Sequence, residues 1–141
     1  MDKDRSIDAL RRHQDAALRL LAQGVEIFAH GQEVSFENLT GLRRELVQVL
    51  GAYQVFKHDV IFDPAIASGD AERGALAREM KVHCIAAGEV FRVHVMQWTP
   101  ARIAEDRAGY QAAARLTLNQ LHRHITAERV GIADLLGRYH D

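Results

Sequence analysis

Apolar residues recur at steps of three and four along most of the chain, a spacing that is typical of amphipathic α-helices. Turn-forming residues and prolines interrupt this pattern at residues 31–35, 64–70 and 99–100. The pattern therefore predicts helices over 7–30, from 36 to about 63, over 71–98 and from 100 towards the C-terminus. No strand-like alternation competes with this interpretation.

Residues that commonly begin or end helices stand at these boundaries, namely Ser6 and Gly31 for the first helix, Ser35 and Pro64 for the second, and Thr99 and Pro100 for the fourth. Interior glycines lead us to expect a bend in the long fourth segment near Gly109 or Gly131. Four such helices joined by short loops can bury their apolar faces only against one another. We predict an all-α, antiparallel up-and-down four-helix bundle in which residues 1–141 form a single domain.

Charge and cysteine content exclude several classes of function. The 18 basic and 19 acidic residues give a net charge of −1 without a long basic run, so we expect no nucleic-acid partner. The charged start of the chain and the lack of a long apolar segment predict no export signal and no membrane span, hence a cytoplasmic protein. The single cysteine, Cys84, is expected to be a small buried residue. No histidine stands in the HxxKG setting of a phosphotransfer domain.

The chain contains 8 histidines, which is a large number beside 5 Phe, 3 Tyr and 1 Trp. With a rise of about 1.5 Å per residue, one histidine from each predicted helix reaches a common level, and we expect all four to face inward: His13, His58, His83 and His124. His94 lies about 16 Å further along its helix than His83 and cannot share that level. The other three are expected at helix ends or on another face: His30, His140 and His122.

The two halves of the chain repeat the same spacing. His13 to His58 is 45 residues, as is His83 to Glu128, and His83 to His124 is 41 residues, as is His13 to Gln54. Gln54 and His58 on the second helix therefore correspond to His124 and Glu128 on the fourth. Residues four apart lie on one helix face, so each pair can direct two donor atoms at one point in the core. The same residues could instead form a network of hydrogen bonds without a metal.

This arrangement resembles the hemerythrin-like (HHE cation-binding) domain family, whose pattern is H, HxxxE, H, HxxxE on four successive helices. The resemblance covers essentially the whole chain, including Phe62, Pro64 and Trp98. It implies a four-helix bundle with a non-haem di-iron centre. Carried over position by position, it places the family's ligands at His13, His83, His124 and Glu128.

The second helix departs from the family pattern, because Gln54 and His58 stand where the family has His and Glu. One bridging carboxylate is therefore absent, and solvent or Tyr53 would have to replace it. Four imidazoles and one carboxylate could also hold a single Fe or Zn ion. The predicted metal ligands are His13, His58, His83, His124 and Glu128, with Tyr53 and Gln54 beside them or as substitutes.

The resemblance implies an iron-binding protein that binds or senses O2, NO or peroxide at a di-iron or mononuclear centre. We do not expect a dedicated enzyme, although slow oxidase or peroxidase chemistry would use the same site. The alternative is a metal-free or metal-switched helical bundle that acts as an interaction or regulatory protein. Neither the protein partner nor the oligomeric state follows from the sequence.

Overall fold

The structure is a computed structural model that describes residues 3–29 and 34–138. Over these residues the chain is all-helical, and four of the helices are long. The elements are α1 (Lys3–Ala29), α2 (Phe36–Phe56), a π-helix (Lys57–Phe62), α3 (Asp63–Ile66), α4 (Ala71–Gln97), α5 (Pro100–Glu105) and α6 (Arg107–Arg138). The predicted all-α class is confirmed, and none of the described helices combines the length and the apolar character needed to cross a membrane.

Two of the predicted helix starts are confirmed by their capping hydrogen bonds. The Ser35 hydroxyl accepts from the backbone N–H of Asn38 at 3.1 Å, which places Ser35 as the N-cap of α2. The Thr99 hydroxyl accepts from the N–H of Arg102 at 3.2 Å, with Pro100 in the first turn of α5. Short-range signals therefore define these boundaries.

One other predicted boundary is wrong. The first helix begins at Lys3, so Ser6 lies inside it and is not its N-cap. The second helical run, expected to end near Pro64, continues from α2 through the π-helix and α3 and ends at Ile66. Pro64 lies at the start of α3, where a residue without an N–H is tolerated. The predictions for Gly31, His30 and His140 fall outside the described residues.

The predicted bend near Gly109 is confirmed as a break between α5 and α6 at Asp106, whereas α6 runs without interruption past Gly131. The Asp106 carboxylate accepts from the backbone N–H of Gly109 at 2.9 Å. A Cβ on residue 109 would overlap that carboxylate, so glycine allows this capping contact. The break separates the short helix α5 from the long final helix.

The long helices pack unevenly. Helix α1 packs against α2 and α6, and α4 packs against α6, the π-helix and α3. Helices α1 and α6 approach each other closely at Gly24, where a Cβ would lie 2.6 Å from Leu118 Cδ1. Helices α2 and α4, in contrast, face each other across a cleft lined by both. This opening is the feature that gives access to the core.

The end of α4 is held by contacts with α2 and α6. The Arg43 guanidinium of α2 donates to the carbonyl oxygens of Val95, at 2.7 Å, and Trp98. His94 is buried, and its ring stacks on Tyr110 with 5.8 Å between centroids. Burial, with the Arg43 charge as a second cause, lowers the pKa of His94. His94 is therefore a neutral packing residue at this end of the core.

Candidate functional site

A layer of polar side chains crosses the core at the level where the sequence predicted metal ligands. Its members come from five elements and are between 1% and 7% exposed: Gln14, Tyr53, Lys57, Cys84 and Glu128. We refer to these five residues as the polar layer. Buried polar groups are costly unless they have partners, so their contacts with one another determine what the layer can do.

The strongest contact in the polar layer is an ion pair between Lys57 and Glu128. Lys57 is the first residue of the π-helix, and its Nζ donates to Glu128 Oε1 of α6 at 2.8 Å. The two side chains are 5% and 3% exposed. The Lys57 ammonium also lies 4.0 Å from the centroid of the Tyr53 ring, which is cation–π distance. The ion pair therefore neutralises two buried charges inside the core.

The electrostatics of the layer favour one charged pair among neutral neighbours. Burial opposes ionisation of Glu128, but the His124 imidazole and the Lys57 ammonium outweigh it and hold the pKa of Glu128 below its usual value. Burial, and secondly the Glu128 charge, raises the pKa of Tyr53. Burial likewise raises the pKa of the Cys84 thiol, although Lys57 opposes the shift. Tyr53 and Cys84 thus keep their protons at neutral pH.

A hydrogen bond connects the layer to α1. The Gln14 amide donates from Nε2 to the Tyr53 hydroxyl oxygen at 3.3 Å. Because that oxygen acts as the acceptor, the tyrosine hydrogen is left to donate to the Glu128 carboxylate, with which Tyr53 also interacts. The layer therefore joins α1 and α2 as well as the π-helix and α6.

Of the five predicted ligands, the structure brings only His124 and Glu128 directly together. His124 Nε2 lies 3.4 Å from Glu128 Oε2, and neither atom has a hydrogen-bond partner among the described residues. The predicted i, i+4 spacing on the fourth helix accounts for this proximity.

The expectation that four histidines face inward is wrong for His83. Its side chain is 67% exposed and its Nε2 is 4.0 Å from Glu79 Oε1, on the outer face of α4. The neighbouring residue, Cys84, is the one that α4 contributes to the core. A one-residue step rotates a side chain by about 100° around a helix, which is enough to exchange the two faces.

His13 and His58 occupy half-buried positions beside aromatic rings. The His13 ring is 4.8 Å from Phe56 and 6.3 Å from Tyr53 between centroids. The His58 ring is 5.9 Å from Phe62, and its buried Nε2 has no hydrogen-bond partner in the part of the chain that the structure describes. Burial lowers the pKa of both imidazoles. In each case the adjacent residue is the one that enters the polar layer.

The two predicted substitute ligands, Tyr53 and Gln54, lie in different parts of the structure. Tyr53 is a member of the polar layer, whereas Gln54 points to the wall of the cleft. A Cβ on Gly88 of α4 would lie 2.8 Å from Gln54 Nε2, which shows how closely the amide approaches the opposite helix. The inward pair on the second helical run is therefore Tyr53 and Lys57 instead of Gln54 and His58.

Sequence reasoning missed Lys57, although a signal for it exists. The buried stripe of α2 runs through Leu39, Leu42, Leu46 and Tyr53, and a further step of four reaches Lys57. A lysine on an apolar stripe, with a carboxylate expected at the same level, indicates a buried ion pair. The repeated spacing of the histidines favoured the next residue, His58, as the inward-facing one.

The five predicted metal ligands do not form one set in this structure. Across residues 3–29 and 34–138, no three His, Cys, Asp or Glu side chains are grouped closely enough to share a metal ion. The donor chemistry gives a stronger reason, because the cation facing Glu128 is the Lys57 ammonium and His83 lies on the outside. The residues present therefore do not fit the predicted five-ligand centre.

The polar layer is reached through the cleft between α2 and α4, which has a volume of about 430 Å³. Its floor contains Tyr53, Lys57, Cys84 and His124. Its remaining lining is mainly apolar and includes Leu50, Ala87, Phe91, Leu121 and Met96. An apolar cleft with a few polar groups at its base is the usual form of a site for a small organic molecule.

The chain matches no protein-family model, no curated protein and no solved structure. The hemerythrin-like resemblance therefore rests on the spacing of residues in this sequence. Since that spacing brings His124 and Glu128 together but leaves His83 exposed, membership of the family stays a prediction.

Proposed function

We propose that the four long helices form an antiparallel up-and-down bundle that binds a small organic molecule in the cleft between α2 and α4. In this proposal the bundle core holds the Lys57–Glu128 ion pair and no metal. The proposal shares the metal-free core with the alternative drawn from the sequence, an interaction or regulatory bundle, and differs from it in the small-molecule ligand. The single observation that carries it is a buried ammonium ion paired with the core carboxylate, at the base of an open cleft.

The ion pair supplies the positive charge that Glu128 requires. A buried carboxylate needs either a paired cation or a metal to compensate for lost hydration. The Lys57 Nζ lies 2.8 Å from Glu128 and fills that requirement. A divalent ion bound to the same carboxylate would stand close to the ammonium and would be repelled by it. A metal is therefore not needed to stabilise this core.

The cleft supports the ligand-binding part of the proposal. Its volume of about 430 Å³ falls in the range of small-molecule sites. Helices α2 and α4 make few direct contacts, so a ligand in the cleft would join two long helices that otherwise meet only weakly. Binding to the folded state alone would raise the stability of the protein. A regulatory module requires such a coupling between ligand binding in the cleft and the packing of α2 against α4.

A second candidate is the iron-binding function that the resemblance implies, with O2, NO or peroxide as the ligand. The observation that favours it is the pair of buried atoms without hydrogen-bond partners, His124 Nε2 and Glu128 Oε2. Two donors do not make a complete iron site, and the Lys57 ammonium faces the same carboxylate. This candidate therefore ranks below the metal-free one.

The ligand-binding proposal is tested with 8-anilino-1-naphthalenesulfonate, a fluorescent probe that binds apolar clefts. Ala87 lines the cleft, and we expect Ala87→Trp to weaken probe binding by about tenfold, or about 1.4 kcal/mol, because the indole occupies the site. Fluorescence titration measures the affinity, and circular dichroism verifies that the variant is folded.

The matched control is Ala86→Trp, because Ala86 is exposed and lines a different surface depression, beside α6. This variant is expected to bind the probe as the parent protein does. Equal affinity in the parent and Ala87→Trp, or a loss confined to Ala86→Trp, would contradict the proposal.

A further inference from the structure

The charged side chains that line the cleft between α2 and α4 are paired within the protein. At the floor, the Lys57 ammonium donates to the Glu128 carboxylate. At the mouth, Arg92 of α4 forms a solvent-exposed ion pair with Glu89. An ionised ligand that entered the cleft would lose its hydration without gaining an unpaired counter-charge. The cleft therefore favours an uncharged ligand.

Two other polar groups at the floor also have partners in the polar layer. The Tyr53 hydroxyl accepts from Gln14 and interacts with the Glu128 carboxylate. The Cys84 thiol interacts with the Lys57 ammonium. Because these buried groups already satisfy one another, a polar group of the ligand has to find its hydrogen bonds higher in the cleft.

The amide of Gln54 lines the wall of the cleft and forms no hydrogen bond within the described part of the chain. Gln54 is half-buried on α2, and its amide reaches α4, where a Cβ on Gly88 would lie 2.8 Å from Nε2 and 3.1 Å from Oε1. A primary amide is uncharged, and it both donates and accepts hydrogen bonds. A ligand amide or lactam has the same two functions and is therefore the matched partner for Gln54.

One helical turn from Gln54, the cleft has space for a flat ring. Arg43 binds the end of α4 and Gln54 approaches Gly88, so α2 and α4 run in opposite directions. Three residues back on α2 and three residues forward on α4, Gly51 comes level with Phe91, and both residues line the cleft. A Cβ on Gly51 would meet nothing within 4 Å. An aromatic ring in this space would pack against the ring of Phe91.

We propose that the cleft binds an uncharged aromatic molecule that carries an amide or lactam group, with that group paired to Gln54 and the rings between Gly51 and Phe91. This inference rests on the proposed function and names the class of ligand for the same site. Gln54 and Gly51 are separated by three residues, or about 4.5 Å along the helix axis. That separation suits a carboxamide attached directly to an aromatic ring.

The experiment compares three ligands that share one ring system and differ in charge at neutral pH. Naphthalene-2-carboxamide is neutral, 2-naphthoate is an anion and 2-naphthylmethylamine is a cation. Isothermal titration calorimetry with the full chain is expected to show that the carboxamide binds at least about tenfold more tightly than either ion, a difference of about 1.4 kcal/mol. The reason is that the carboxamide gives up no ionic hydration. Equal or tighter binding of either ion would overturn the inference.

The variant Gln54→Leu tests the role of the amide, because it removes the hydrogen-bonding group and keeps a side chain of similar size. We expect it to bind naphthalene-2-carboxamide about tenfold more weakly than the parent protein. Gln48→Leu is the matched control, since Gln48 is an exposed glutamine of the same helix that lines a different depression, between α1 and α2. It is expected to bind as the parent does. An unchanged affinity in Gln54→Leu would show that the ligand does not pair with this amide.

The variant Gly51→Leu tests the position of the rings by filling the space beside Phe91. Leucine stabilises a helix relative to glycine, and the open space around Gly51 accommodates it, so this variant is expected to fold. Its affinity for naphthalene-2-carboxamide is expected to fall at least about tenfold, with a melting temperature no lower than that of the parent. Gly41→Leu is the matched control, because Gly41 is also in open space on α2 but does not line the cleft. Equal affinities of the two variants would contradict the proposed position.

The outcomes separate the inference from the proposed function. The anilinonaphthalenesulfonate probe serves to locate the cleft, whereas the charge preference is measured with the naphthalene ligands alone. If Ala87→Trp weakens binding of the probe but the three naphthalene ligands bind equally, the amide assignment is wrong and the ligand-binding function stands. If Ala87→Trp has no effect on the probe and none of the three ligands binds, both proposals fail.

Discussion

Replacing Lys57 with methionine is expected to lower the free energy of unfolding by about 3–5 kcal/mol, because it leaves the Glu128 charge buried without a partner. The Glu128 side chain is 3% exposed and therefore cannot recover its hydration by a small movement. Urea unfolding followed by circular dichroism at neutral pH measures the change.

Two control variants distinguish the buried pair from an ordinary surface contact. The double replacement Lys57→Met with Glu128→Leu is expected to recover most of the lost stability, since both charges are removed together. Lys81→Met breaks the exposed ion pair with Asp63 and is expected to cost at most about 1 kcal/mol. A cost of Lys57→Met no larger than that of Lys81→Met would show that the ammonium is not buried against Glu128.

The Phe62→Ala variant is expected to lose about 3–5 kcal/mol of stability, because the removal of a buried ring leaves a cavity. Phe62 is 0% exposed and is the last residue of the π-helix that begins at Lys57. Its ring packs beside His58, with 5.9 Å between centroids. The same urea unfolding experiment measures the loss.

Val55→Ala is the matched control for this substitution, because Val55 lies close in sequence and is 61% exposed. Its effect is expected to stay within about 0.5 kcal/mol. Equal stability of the two variants would contradict the burial of the Phe62 ring in the core.

Much of the fold could be predicted from the sequence because its signals are local. The four long helices follow from apolar residues at steps of three and four, and the N-caps Ser35 and Thr99 follow from residue type next to a helix start. The break at Asp106 lies three residues before Gly109, where a bend was expected. The π-helix carried no comparable signal, because its wider turn depends on how Lys57 and Phe62 pack against other helices.

The level of the site could be predicted, but the side chains that meet there could not. Counting residues gives the position of each residue along the helix axis well. The direction in which its side chain points around that axis, however, changes by about 100° from one residue to the next. On α4 the core receives Cys84 instead of His83, and after α2 it receives Lys57 instead of His58. The pairing of Lys57 with Glu128 joins residues 71 positions apart, and no local pattern encodes it.

The most direct test of the central claim is the metal content of the protein after anaerobic loading with ferrous iron, measured by mass spectrometry together with the near-ultraviolet absorption spectrum. If Lys57 serves as the cation for Glu128, bound iron is well below one per chain, no oxo-bridge band is present, and a chelator leaves the melting temperature unchanged. One or two irons per chain that raise the melting temperature, and that are lost in His124→Ala, would contradict the account.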